Sequence, residues 1–66
     1  MRIELNGRVH ELADGTTVAG LITSVTGSAR GSAAVIDGEV VPRSAWSEVA
    51  LREGQSVELI TAVQGG

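Results

Sequence analysis

In Ser56-Val57-Glu58-Leu59-Ile60-Thr61-Ala62-Val63-Gln64-Gly65-Gly66, Val57, Leu59, Thr61 and Val63 share one face of an extended chain, and Glu58, Ile60 and Ala62 share the other. That period of two is the signature of a β-strand with one buried face. Two glycines follow the strand directly. Without a Cβ, glycine tolerates backbone angles that other residues refuse, so such a tail is thin enough to enter a narrow channel. A terminal carboxylate on it is an anion at neutral pH and a usable nucleophile toward an activated phosphate. The dipeptide alone reads more readily as a flexible end without chemistry, so the rest of the chain must decide.

Working back from the strand, Glu53-Gly54 makes a turn, and Arg43 to Leu51 reads as irregular or as a helical turn with Trp46 and Leu51 as inward anchors. Pro42 stops strand pairing because it has no N–H to donate. Before it, Ala33 to Ile36 and Glu39-Val40-Val41 form two short strands around Asp37-Gly38. Asn6-Gly7 joins a first strand holding Ile3 and Leu5 to a second running from Arg8 to Leu12. Both Asx-Gly pairs suit a type I′ hairpin turn, which demands positive φ at its two central positions. In the second strand Leu12 points inward, which puts His10 on the same side as a core-edge or partly covered histidine and Val9 and Glu11 on the other. No second histidine or cysteine is present to share a metal with it.

Between the hairpins, Val18, Leu21, Ile22 and Val25 recur at helical spacing, with Thr17 as candidate N-cap, Gly27 as the stop and a polar loop from Ser28 to Ser32. Gly20 costs this helix roughly 1 kcal/mol against alanine, and Thr23, Ser24 and Thr26 are also poor helix formers. The helix therefore depends on a sheet to hold it. Strand, strand, helix, strand, short strand, final strand is an order that closes when the first and last strands pair in parallel through a right-handed crossover. The expected fold is α+β: a β-grasp, with a mixed sheet of four to five strands, one helix across one face and the other face open.

Composition sets the remaining bounds. Sixty-six residues make one small domain, with no cysteine and Trp46 as the sole aromatic residue. Disulfides and thiolate zinc sites are thereby excluded, and stability rests on close-packed aliphatic side chains. A net charge of −3 argues against a nucleic-acid partner. No apolar run approaches a membrane span, and Met1-Arg2-Ile3-Glu4 lacks the apolar stretch of a signal peptide, so a cytoplasmic protein is expected. All five cations are arginine. Without lysine, the chain offers no side-chain amine to an activated C-terminus of another copy.

The motifs together carry a resemblance. Ile3-Glu4-Leu5-Asn6-Gly7, Asp14-Gly15-Thr16-Thr17-Val18-Ala19-Gly20-Leu21, Gly38-Glu39-Val40-Val41-Pro42-Arg43-Ser44-Ala45-Trp46 and Glu53 through Gly66 occur in the order and spacing of the ThiS-type sulfur carriers of thiamin biosynthesis, a branch of the ubiquitin-like β-grasp family. Asp37 stands where that family usually has asparagine, Gln55 where it has aspartate, and Gly20 where an acidic residue is common. None of the three touches the tail.

The chain has no catalytic set of its own. What the resemblance implies is a carrier and co-substrate, not an enzyme, whose C-terminus is worked on by partners. A ThiF-type adenylyltransferase would draw Gly65-Gly66 into its ATP site, and the Gly66 carboxylate would become an acyl-adenylate. A cysteine desulfurase relay would replace AMP with sulfur. Thiazole synthase would accept that sulfur from the resulting thiocarboxylate. No cofactor is permanently bound in this scheme; ATP belongs to the partner. Residues 1–64 then form the β-grasp domain and 65–66 a flexible tail. For docking, Val35, Ile60 and Ala62 are expected to make an apolar patch on the open sheet face, with Gln64 leading toward the tail and Arg43 and Arg52 as flanking charges. Trp46 is expected to be a lid over the core rather than a contact.

Three other functions remain open at this level. The small subunit of molybdopterin synthase uses the same thiocarboxylate, although Thr61-Ala62-Val63-Gln64 lacks the proline common before its glycine tail. A ubiquitin-like protein modifier would join Gly66 to lysines of targets. A binding module would leave the tail without chemistry.

Overall fold

The computed structural model describes residues 1–26 and 31–61. Two hairpins and a final strand build the sheet: β1 (Arg2–Leu5) with β2 (Arg8–Glu11), β3 (Ser32–Ile36) with β4 (Glu39–Val41), and β5 (Ser56–Thr61) between them. The strand order is β2-β1-β5-β3-β4. β5 pairs parallel with β1 and antiparallel with β3. With α1 (Val18–Thr26), the one α-helix of the described residues, on one face, this is the expected β-grasp, and its central strand is β5.

Turn chemistry fixes both hairpins. Asn6 and Gly7 sit at φ 49° and 83°, Asp37 and Gly38 at 49° and 86°, the left-handed pair that a two-residue I′ turn needs. Each Asx side chain also reaches β5. The Leu59 N–H donates to Asn6 Oδ1 at 2.9 Å, and Asn6 Nδ2 approaches the Leu59 carbonyl at 3.4 Å. Asp37 N–H donates to the Ser56 carbonyl at 2.8 Å, and Ser56 N–H returns a bond to Asp37 Oδ1 at 3.0 Å. The side chain of Asn6 thus continues the parallel ladder past the end of β1. Asp37 at the asparagine position of the family retains the acceptor the turn needs.

One apolar core lies between helix and sheet, formed by Ile3, Leu5, Val18, Leu21, Ile22, Ala34, Ile36, Trp46, Leu51, Val57 and Leu59. Val18, Leu21 and Ile22 are each at most 1% exposed. Burial contributes about 1.5–3 kcal/mol per side chain of this size. That outweighs the ~1 kcal/mol lost at Gly20 and the few tenths at Thr23 and Ser24. Packing therefore makes the helix, as its composition requires. Val25 does not belong to that buried stripe: it is 51% exposed, one turn beyond Ile22, where the core has ended.

The helix start is docked onto the segment between β4 and β5. Val18 N–H donates to the Val49 carbonyl and Ala19 N–H to that of Trp46, both at 3.0 Å. Gly20 N–H finds Thr17 Oγ1 at 3.1 Å, the expected N-cap, and Leu21 N–H begins the helical ladder at the Thr17 carbonyl. A 3-10 turn (Arg43–Ala45) follows Pro42 and brings Trp46 inward. Trp46 is 4% exposed, with its indole N–H donating to the Val41 carbonyl at 2.9 Å. It is the expected core lid.

His10 is corrected by the structure. It lies opposite Ile3, on the helix side as read, yet it is exposed. β2 is an edge strand, and all four of its residues are exposed. The third strand starts at Ser32, inside what reads as loop, because Ser32 pairs with Thr61 and continues the β3–β5 ladder.

Candidate functional site

Everything that could position a reactive tail converges on β5. The strand is held from both sides through Leu59: Glu4 N–H donates to the Gln55 carbonyl and Asn6 N–H to the Val57 carbonyl, both at 2.9 Å, opposite the five-pair register with β3. Its start is fixed as well, since Gly54 N–H donates to the Arg2 carbonyl and Gln55 Oε1 accepts the Arg52 N–H at 2.7 Å. Gln55 at the family's aspartate position therefore still closes the turn before the strand. Gly65 and Gly66 lie outside the described residues, as do Ala62 and Gln64. Thr61, the last described residue, stands five positions before Gly66.

Val57 and Leu59 point into the core, so Ser56, Glu58 and Ile60 face the open side of the sheet. The register places Val35 opposite Glu58 and Ala33 opposite Ile60. Val35 and Ile60 are thereby brought onto one face, as read from sequence, and Ile60 is 55% exposed. Val40 joins them, opposite Val35 on the neighbouring strand and 71% exposed. The patch is thus Val35, Val40 and Ile60 over the half-buried Ala33. Sequence reasoning missed Val40, although the two-residue Asp37-Gly38 turn carries the signal. That turn pairs Ile36 with Glu39 and hence Val35 with Val40.

The two expected flanking charges part company. Arg43 follows Pro42 at the end of the sheet where Ala33 and Ile60 pair, and it is exposed. Arg52 precedes the start of β5, at the opposite end from Ile60, and does not flank the patch. Direction explains this: β5 runs away from its entry turn, so residues before and after it sit at opposite ends of the sheet.

No polar or charged residue is fully buried among the described residues, although the Ser32 hydroxyl is shielded from solvent and has no hydrogen-bond partner. The same residues contain no group of three or more His, Cys, Asp or Glu able to hold a metal ion. A shallow groove along β4, lined by Ile36, Val41, Pro42, Ala45 and Val49, is apolar with Asp37, Glu39 and Gln55 at its lip. It holds no nucleophile beside a base. Among the described residues the geometry offers a strand hydrogen-bonded on both sides and an exposed apolar patch beside it.

Comparison with known proteins agrees with that description. The sequence model of the ThiS family matches residues 3–66. The sulfur carrier protein ThiS of Escherichia coli (strain K12) is 29% identical over 66 residues, covering 100% of both chains. The crystal structure of the thiamine biosynthesis protein ThiS from Geobacter metallireducens superposes with a TM-score of 0.83 at 25% identity, again over 100% of each chain. With a family match that spans nearly every residue and a sheet that superposes end to end, the chain belongs to the ThiS family.

Proposed function

We propose that Gly66 is the sulfur-bearing residue of this chain, presented by the central strand of the sheet. Membership of the ThiS family makes the protein a small sulfur carrier of thiamin biosynthesis. The supporting observation for the site is that β5, held on both sides, reaches Thr61, five positions before Gly66 in the sequence. In this reading residues 1–64 are the domain a partner grips and residues 65–66 the reactive tail.

The chemistry is acyl activation followed by sulfur transfer. A carboxylate oxygen of Gly66 attacks the α-phosphorus of ATP in a ThiF-type adenylyltransferase, and pyrophosphate leaves. A persulfide from a cysteine desulfurase relay attacks the acyl carbon and expels AMP, giving an acyl disulfide. A thiol then cleaves the S–S bond, leaving the thiocarboxylate on Gly66 and a disulfide on the relay. Thiazole synthase takes the sulfur. The carrier contributes geometry alone: a thin tail that fits a covered ATP site, and the Val35, Val40 and Ile60 face, with Ala62 and Gln64 continuing toward the tail, as the docking surface. The chain acts as co-substrate, and ATP is the partner's. Cytoplasmic residence belongs to the same reading; among the described residues no helix is long and apolar enough to cross a membrane.

Intact mass spectrometry tests the mechanism. After incubation with the adenylyltransferase, ATP, a persulfide source and thiol, the protein is expected to gain one sulfur in place of one oxygen at its C-terminus. A single residue added after Gly66 abolishes the gain. Unchanged mass of the native chain under these conditions refutes the proposal, and lysine conjugates of higher mass point to a modifier instead. Val40→Asp and Ile60→Asp are expected to raise KM for adenylation about tenfold or more, with thermal stability unchanged, since both side chains are exposed.

A further inference from the structure

The open face is divided by charge as well as by polarity. Arg2, Glu4, Val9, Glu11, Ser56 and Glu58 occupy the half built from β2, β1 and the start of β5, as alternation and register require. Val35, Val40 and Ile60 occupy the other half. Arg2 is the only cation of the described strands on that face, and its Nε lies 3.4 Å from Glu11. Among the described residues no cation pairs with Glu4 or Glu58. These two carboxylates are not at the rim. They stand on neighbouring strands, as diagonal neighbours across the parallel β1–β5 pair, and Glu58 is directly opposite Val35.

We propose that this face selects a partner surface with an apolar centre and, on the side away from the tail, arginine or lysine side chains that meet Glu4 and Glu58. The inference rests on the carrier reading above and names the surface chemistry of the adenylyltransferase in that reading. A partner that covers Val35 and Ile60 must also cover Glu58, because the three are adjacent. In water the carboxylate is well solvated; under an apolar lid it loses that solvation, and a buried charge without a partner is strongly disfavoured. A neutral apolar surface is therefore rejected, and a basic one is drawn in by the same charges during approach. Gly66 stands eight positions after Glu58, so their Cα atoms lie at most about 28 Å apart along an extended chain.

Association of the full chain with the ThiF-type adenylyltransferase from the same organism, followed by surface plasmon resonance over a range of salt, tests this. The association rate of the native chain is expected to fall steeply with salt. Glu4→Gln combined with Glu58→Gln should lower it roughly tenfold at low salt and flatten the salt dependence, with dissociation rate and melting temperature little changed. Glu39→Gln combined with Glu48→Gln removes the same charge outside the open face of the strands and should leave association at the native rate. Salt-insensitive binding of the native chain, native association by the first double variant, or equal slowing by the second overturns the inference while leaving the carrier reading standing. Absence of any complex with the native chain overturns both.

Discussion

Replacing Asn6 separates two forces that act on one residue. Asn6 holds φ at 49°, a left-handed conformation that costs an ordinary L-residue about 1–2 kcal/mol and asparagine less. Its Oδ1 is also the acceptor for the Leu59 N–H at 2.9 Å, a part-buried bond across 53 residues of sequence. Asn6→Ala adds the φ penalty and leaves that N–H without its acceptor, which costs about 1–3 kcal/mol; the expected loss is about 2–4 kcal/mol. Asn6→Gly relieves the backbone but not the donor, and the extra freedom of its unfolded chain takes back part of the relief. It should sit about 1 kcal/mol above alanine. Asn6→Asp keeps the acceptor and turns an oxygen toward the Leu59 carbonyl in place of Nδ2, which is 3.4 Å away; about 1 kcal/mol is the expected loss. A domain this size has about 3–10 kcal/mol to lose, so alanine should shift the urea midpoint far. Trp46, the sole aromatic residue and buried, is the fluorescence probe. The order expected is native, then aspartate, then glycine, then alanine, at constant m-value. Alanine within about 0.5 kcal/mol of native, the usual range of surface substitutions, or glycine less stable than alanine, refutes the argument.

Gly20→Ala should stabilise the fold by about 0.5–1 kcal/mol. A Cβ there meets only Thr17 Oγ1 at 3.5 Å and Thr16 Cγ2 at 3.9 Å, ordinary contacts; a lower melting temperature would show that the N-cap bond had been displaced. Asp37→Asn keeps the acceptor for the Ser56 N–H and should melt within a few degrees of native. Asp37→Ala loses that acceptor at φ 49° and should cost about 2 kcal/mol by thermal melt. Equal stability of the two would mean that the turn holds β5 by its backbone alone.

Asn6-Gly7 and Asp37-Gly38 were legible because few residue pairs accept positive φ twice in succession. The parallel pairing of first and last strands is compatible with the crossover rule, and the buried face of β5 follows from its alternation. What escaped was tertiary. Nothing local in Asn6 or Asp37 announces a bond to a strand 19 or 53 residues away. His10 and Val25 have the right periodicity for burial, but one lies on an edge strand and the other beyond the core's end, and period says nothing about how far a partner layer extends. Arg52 reads as a flanking charge of the patch, but strand direction puts it at the other end of the sheet. The reading of the tail rests on sequence and family; Gly65 and Gly66 lie outside the described residues.

The docked helix start has a consequence for the adenylate. Helix beginnings attract phosphate because their first N–H groups are free. Here Val49, Trp46 and Thr17 occupy those of Val18, Ala19, Gly20 and Leu21. The one helix of the described residues thus presents no cradle for an anion. In the proposed scheme a nucleotide joined to Gly66 would find no phosphate cradle at this helix. Its phosphate would then be gripped by the partner that forms the adenylate, and the moment of AMP release would be set there and not by the helix of the carrier.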